Sequence, residues 1–207
     1  MLRHPLARLL AVAVIPALIV YVVVLTLAVA AGIEPLLAIR DLMQTARKEE
    51  PIVVGMISNL GIVLWAAAAA ISLFASCSGL VGQRSWRKLL LVGGLFSTIL
   101  CLDDFFLLHD RHVIVHEGAY YLLYAVFAAV ILVYFRKLVL QADGLAFLAA
   151  ALLLGLSVFS DRFQDSLPGG YDTVQLFEEG FKFIGISCWL AFWWQASLRG
   201  ATLDSND

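Results

Sequence analysis

Acidic residues and histidines crowd the ends of several apolar segments of this chain. Asp103, Asp104 and His109 close one segment, and His116 and Glu117 open the next. Mixed carboxylate and imidazole ligands suit Zn²⁺, Fe or Mn, and the same groups are common general acids and bases. The spacing therefore predicts a functional site where these two segments meet.

Two further apolar segments carry charged residues at the same level. One of them ends at Asp161, and the other begins just before Glu178, Glu179 and Lys182. Glu178 and Lys182 are four residues apart, in the order that favours an ion pair on one helix face. Repulsion among so many carboxylates must be relieved by protonation, cations or a bound metal. We therefore expect a single polar site built from all four segments.

The composition predicts a membrane protein. Of 207 residues, 62% are hydrophobic and 14% are charged, which is far from the usage of soluble domains. A bilayer core needs about 20 apolar residues per helical span. The candidate spans are Leu9–Gly32, Ile52–Cys77, Leu89–Leu108, Ala119–Val139, Gly144–Ser160 and Val174–Ser197.

The expected fold is an all-α integral membrane protein, with six transmembrane helices in one domain that covers residues 1–207. The first apolar run is longer than the roughly 7–15 residues of a secretory signal, which predicts a retained helix. In the loop after it, Leu36, Ile39 and Met43 recur at helical spacing. This pattern predicts a short amphipathic helix on the outer membrane surface.

The basic residues predict the orientation. Arg84, Arg87 and Lys88 form a turn without any acid, which is typical of a cytoplasmic loop. All but three of the 16 carboxylates then lie on the other side. Both termini are therefore expected in the cytoplasm of a cell-membrane protein, with the polar site facing the periplasm or the extracellular side. The tryptophans near the end of the last span, Trp189, Trp193 and Trp194, are expected to form an interfacial belt.

Two classes of site are excluded by the pattern. No basic stretch interleaved with aromatic residues indicates nucleic-acid binding. Cys77, Cys101 and Cys188 have no paired spacing, so neither a disulfide framework nor a thiolate metal site is supported.

The leading functional hypothesis is a metal-dependent hydrolase or transferase that acts on a lipid or a lipid-linked substrate. Glu117 or Glu179 would be the general base, and Lys182 would stabilise developing negative charge. The predicted ligands of the divalent metal ion (Zn, Fe or Mn) are Asp103, Asp104, His109, His116, Asp161 and Glu178.

Two alternatives remain open. In one, the protein is a non-catalytic subunit or scaffold, and its polar site binds a membrane-protein partner or a second copy of the chain. In the other, the carboxylates and Lys182 relay protons or cations in a transporter. Membrane lipids surround the protein in all three interpretations.

The combination of Ser, Asp and His residues resembles, in its ingredients, the alkaline-ceramidase-like membrane hydrolases, which hold zinc with such residues. That resemblance implies zinc-dependent hydrolysis. The last helix departs from the family, because it carries Glu178-Glu179-Gly-Phe-Lys182 where the family has a paired His-x-x-x-His. Six spans rather than seven are expected as well. The sequence is therefore not assigned to that family.

Overall fold

The computed structural model describes residues 5–39, 53–109, 116–168 and 170–204, and this part of the chain is helical without a strand. One short 3₁₀ turn, Gln164–Ser166, precedes the last helix. The helices are α1 (Pro5–Ala30), α2 (Pro35–Ile39), α3 (Met56–Cys77), α4 (Arg84–Phe106), α5 (Glu117–Tyr134), α6 (Arg136–Arg162) and α7 (Gly170–Asp204).

Among the described residues, four helices are long and apolar enough to cross a bilayer, namely α1, α3, α4 and α6. The apolar part of α5, Gly118–Tyr134, is shorter. Helix α7 has 35 residues, and its first half carries Glu178, Glu179 and Lys182. The described part of the chain is therefore all-helical with four candidate membrane spans, which is consistent with the membrane protein that the composition predicted.

Two helices contain interruptions with a local cause. Helix α1 has a π-helical segment at Leu10–Val14, just before Pro16, whose missing N–H removes one helical hydrogen bond. Helix α6 is broken at Asp143, which is not helical. The Asp143 carboxylate accepts a hydrogen bond from the Ala146 N–H at 3.2 Å, as a residue before a helix start does. The predicted span beginning at Gly144 starts immediately after this break.

The chain divides into two compact units, which are described separately. The first comprises residues 1–63 and 149–188, and the second comprises residues 64–148 and 189–207. The single-domain interpretation stays a prediction beside this division.

The first unit has a core where helices approach closely at glycines. A Cβ atom on Gly185 would lie 2.9 Å from Leu154 Cγ and 3.1 Å from the Leu154 backbone nitrogen. Gly61 would meet Ile186 in the same way at 3.3 Å. Small residues allow this closeness without a side-chain clash. In the same unit, α2 buries Leu36 and Ile39, so the predicted loop helix is partly confirmed; residues 40–52 lie outside the described part.

The second unit is built around Trp189. Its indole contacts the rings of Trp65, Phe96, Phe147 and Trp193 at centroid distances between 5.4 and 6.1 Å. Its Nε1 donates a hydrogen bond to Ser97 Oγ at 2.8 Å. The indole therefore has both the aromatic packing and the polar partner that a buried tryptophan requires.

The predicted tryptophan belt is wrong for two of its three members. Trp189 and Trp193 are buried in protein, and Trp194 is 51% exposed. The reason is Gly93, because any Cβ atom there would overlap the Trp193 ring. The missing side chain leaves room for an indole between helices, whereas a belt residue would face the lipid headgroups.

We predict that Gly93→Ala destabilises the protein by about 1–3 kcal/mol, because the added methyl group overpacks the buried Trp193 ring. The matched control is Gly155→Ala, a helical position where no atom lies within 4 Å of the new Cβ. That change should be neutral or stabilising by roughly 0.5–1 kcal/mol. Thermal unfolding of the purified protein in detergent measures both. Equal midpoints for the two variants would contradict this account of the core.

Candidate functional site

The end of α4 is closed by Asp103 through its backbone. The N–H groups of Leu107 and Leu108 both donate to the Asp103 carbonyl oxygen, the second at 3.1 Å. Leu107 has a φ of 52°, in the left-handed region. A left-handed residue after a helix reverses the chain and satisfies the last carbonyl groups. The segment after Phe106 therefore folds back toward the side chains of its own helix.

The side chain of Asp103 binds the residue that this reversal returns. Its Oδ1 accepts a hydrogen bond from the His109 backbone N–H at 3.0 Å, and its Oδ2 lies 2.8 Å from His109 Nδ1. Asp103 is only 5% exposed, so water does not compete for these bonds. An ionised carboxylate can only accept, so in the ionised pair Nδ1 carries the proton. The pair therefore fixes the ring and leaves Nε2 as its second, unprotonated nitrogen when the ring is neutral.

Tyrosines of α5 complete the surroundings of the Asp103–His109 pair. The Tyr124 hydroxyl lies close enough to the Asp103 carboxylate to interact with it, and the Tyr121 ring lies beside the His109 ring with centroids 5.6 Å apart. The Tyr120 hydroxyl is buried and has no hydrogen-bond partner among the described residues. Its ring lies 6.3 Å from that of Tyr124. An unused donor therefore lies one aromatic ring away from the Tyr124–Asp103 contact.

Asp104 and His116 lie in the same unit. Asp104 is buried on α4 and lies within electrostatic range of Cys101, one turn earlier. His116 caps α5, since its Nδ1 accepts a hydrogen bond from the Gly118 N–H at 3.3 Å. The side chain of Glu117 lies outside the described part of the structure.

The remaining predicted residues belong to the first unit. Asp161 is half-buried near the end of α6, and Glu178, Glu179 and Lys182 are half-buried on α7. The Tyr21 hydroxyl donates to the Leu176 carbonyl oxygen at 2.5 Å and lies within electrostatic range of Glu179 and Glu178. The Tyr21 ring packs beside Gly180 of α7, where a Cβ atom would be in ordinary contact with it at 3.6 Å.

A metal centre was predicted from six of these residues. Within the described ranges, no group of three or more His, Cys, Asp or Glu side chains is arranged to hold a metal ion. Both carboxylate oxygens of Asp103 already bind His109, which favours a supporting role for Asp103. The predicted metal ion and its ligands stay predictions.

A family profile matches residues 10–196, which is nine-tenths of the chain. The chain belongs to the family described as Domain of unknown function (DUF8692). No curated protein and no solved structure matches it. The family description states no activity, so the function of this DUF8692 chain has to be argued from its own residues.

Sequence reasoning missed Tyr121 and Tyr124 of this DUF8692 chain. They are three residues apart on α5, so they share a helix face. Their spacing was visible in the sequence. However, tyrosines at the end of a membrane helix are also typical of an interfacial belt. Only the contact with Asp103 and His109 distinguishes the two roles.

We predict that Asp103→Ala changes the tautomer of His109, because the acceptor that holds the proton on Nδ1 is lost. The expected result is a neutral ring protonated mainly on Nε2, the usual preference of free imidazole side chains. Nitrogen-15 NMR of protein labelled at histidine measures the tautomer, and His109→Gln assigns the signal. Asp165→Ala is the control, since Asp165 is an exposed carboxylate in the 3₁₀ turn. An unchanged His109 pattern in Asp103→Ala would refute the proposed role of Asp103.

Proposed function

We propose that this protein is a membrane-embedded hydrolase or transferase that acts on a lipid or lipid-linked substrate. The observation that carries the proposal is the buried Asp103–His109 pair. A carboxylate that holds one imidazole nitrogen is an arrangement found at histidines that act in catalysis or bind metal. The position of the pair at the end of an apolar helix supports a substrate that reaches it from the bilayer.

A divalent metal ion is the proposed cofactor, with Zn²⁺, Fe and Mn compatible with the residues present. Metal-bound histidines commonly donate their other N–H to a carboxylate, and His109 has this relation to Asp103. The proposal therefore assigns Nε2 of His109 as a ligand and Asp103 as its support. Asp104 and Nε2 of His116 are the other ligand candidates of the same unit. Such an ion would supply an activated water molecule and polarise the oxygen under attack.

The tyrosines of α5 have distinct proposed tasks. Tyr124, whose hydroxyl interacts with the Asp103 carboxylate, is proposed to support the orientation of His109. Tyr120 has a buried hydroxyl without a partner in the described part of the chain. A preorganised donor in a dry site stabilises negative charge that develops on a substrate oxygen. We therefore propose Tyr120 for this role, beside the earlier proposal of Glu117 or Glu179 as base and Lys182 as charge stabiliser.

The test combines metal analysis with an assay on membrane lipids. Detergent-purified wild type should contain stoichiometric metal, and incubation with a total polar lipid extract should release headgroups or fatty acids detectable by mass spectrometry. His109→Ala should lose both metal and activity. Asp103→Ala should weaken metal affinity by about 10–100-fold, as expected for a supporting carboxylate.

Asp165→Ala is the matched control and should keep metal and activity. If purified wild type contains no metal and still cleaves lipid, His109 would be assigned as a general base that acts without a metal. Wild type that neither holds metal nor alters any lipid would refute the proposal. Stable co-purification of another membrane protein in that case would favour the scaffold alternative.

The proposed topology has six spans with both termini in the cytoplasm, and it includes α5 and α7 beside the four helices named above. Its support is the basic turn before α4, with exposed Arg84, Arg87 and Lys88, since short loops rich in Lys and Arg stay in the cytoplasm. In this orientation the Asp103–His109 pair lies at the outer face of the cell membrane.

We predict that a cysteine at position 166 reacts with a membrane-impermeant maleimide in intact cells, whereas a cysteine at position 83 reacts only after permeabilisation. Both variants, Ser166→Cys and Gln83→Cys, replace exposed residues. The background is Cys77→Ser, because Cys77 is the exposed native thiol of the described residues. The reverse pattern of labelling, or equal labelling at both sites, would contradict the proposed orientation.

A further inference from the structure

A second polar feature lies in the second unit, at the opposite end of α4 from Asp103. It is a cleft of about 550 Å³ between the first turn of α4 and the junction of α5 and α6. We call it the basic cleft. Its lining residues are Arg84, Ser85, Lys88, Val133, Tyr134, Phe135, Arg136, Lys137 and Leu138.

Four cationic side chains line the basic cleft, and all four are exposed. None of them has a hydrogen bond or ion pair through its side chain to another described residue. Like charges that converge on one cleft repel each other unless an anion lies between them. Arginine forks and lysine ammonium groups are the side chains that proteins use to bind phosphate. The Ser85 hydroxyl adds a neutral donor to the same lining.

The other wall of the basic cleft is apolar and unusually exposed. Val133 and Tyr134 at the end of α5 are 72% and 73% exposed. The centroids of the Tyr134 and Phe135 rings are 4.7 Å apart. A ligand that matched both walls would have an anionic group next to a hydrocarbon part. Anionic membrane lipids have this construction, and basic pockets between membrane helices are known to hold their headgroups.

We propose that the basic cleft is a binding site for a phosphate group, with Arg84, Lys88, Arg136 and Lys137 as its cationic ligands. The apolar wall favours a phosphate carried by a lipid headgroup over a free phosphate ion. A generic cytoplasmic excess of positive charge would attract anionic lipids as well. It would do so through every basic residue on that side, whereas a built site depends on those that line the cleft.

The experiment compares two double variants that remove the same charge. Lys88→Gln with Arg136→Gln empties the cleft of two cations. Arg87→Gln with Arg199→Gln removes two exposed cations of the same unit that do not line it. Native mass spectrometry of detergent-purified protein measures retention of phosphatidylglycerol against phosphatidylcholine.

Wild type should retain phosphatidylglycerol preferentially, and the cleft variant should bind it about tenfold or more weakly, as the loss of charge-assisted hydrogen bonds implies. The control variant should stay within about twofold of wild type. Equal losses in both double variants would overturn the proposal in favour of nonspecific attraction.

A second arm distinguishes the source of the phosphate. The thermal midpoint of wild type is compared in sodium phosphate and in sodium chloride at equal ionic strength. Stabilisation by phosphate that the cleft variant lacks, without retention of phosphatidylglycerol, would assign the site to free phosphate. Wild type that shows neither lipid preference nor stabilisation by phosphate would overturn the proposal.

If the cleft double variant does not purify as a monodisperse protein, the comparison uses single changes. Lys137→Gln changes a residue that lines the cleft, and Arg87→Gln changes one that does not. The same difference in lipid retention is then required, and its absence refutes the site.

Discussion

The hydrogen bonds of Asp103 are the constraint on which the polar end of α4 depends. An aspartate within a membrane helix costs about 2.5–3.5 kcal/mol at the bilayer centre and less toward the edge. Each hydrogen bond to a charged group returns roughly 1.5–3 kcal/mol. Asp103 accepts from the His109 N–H and from His109 Nδ1. Two such bonds offset the cost of burial, so the carboxylate can remain in an apolar helix.

The backbone of Leu107, at the end of α4, is in the left-handed region and is therefore strained. A left-handed conformation costs a residue with a Cβ roughly 1–2 kcal/mol, and glycine would adopt it without that cost. The Leu107 side chain is buried, and burial of a leucine side chain returns about 1.5–3 kcal/mol. Burial of the leucine therefore offsets the cost of the left-handed conformation. The reversed turn places His109 against Asp103, and a catalytic or metal-binding histidine needs such support.

The sequence was informative about which residues matter and less so about how they pair. Asp103 could be singled out because a carboxylate within an apolar segment is expensive. Its pairing with His109 could not be predicted from helical periodicity, because six residues do not return to the same helix face. The pair requires the chain reversal at Leu107, and leucine is not a typical signal for such a turn. The prediction for the buried tryptophans was wrong for a related reason. Tryptophans near the end of a span are typical of an interfacial belt, and only the space at Gly93 shows that Trp193 packs between helices. By contrast, the apolar segments follow directly from residue type, and four of the six predicted spans are long and apolar enough to cross a bilayer.

The length of α4 limits how its two polar ends can cooperate. Arg84 and Asp103 are 19 residues apart on one helix, which corresponds to about 28 Å along its axis. The hydrocarbon core of a bilayer is about 30 Å thick, so the two ends lie near opposite surfaces if α4 spans it. A lipid headgroup bound in the basic cleft is then in the other leaflet from His109. It follows that the same lipid molecule cannot bind the cleft and react at His109 without crossing the membrane. A lipid bound in the basic cleft and a lipid substrate of His109 would therefore belong to different leaflets.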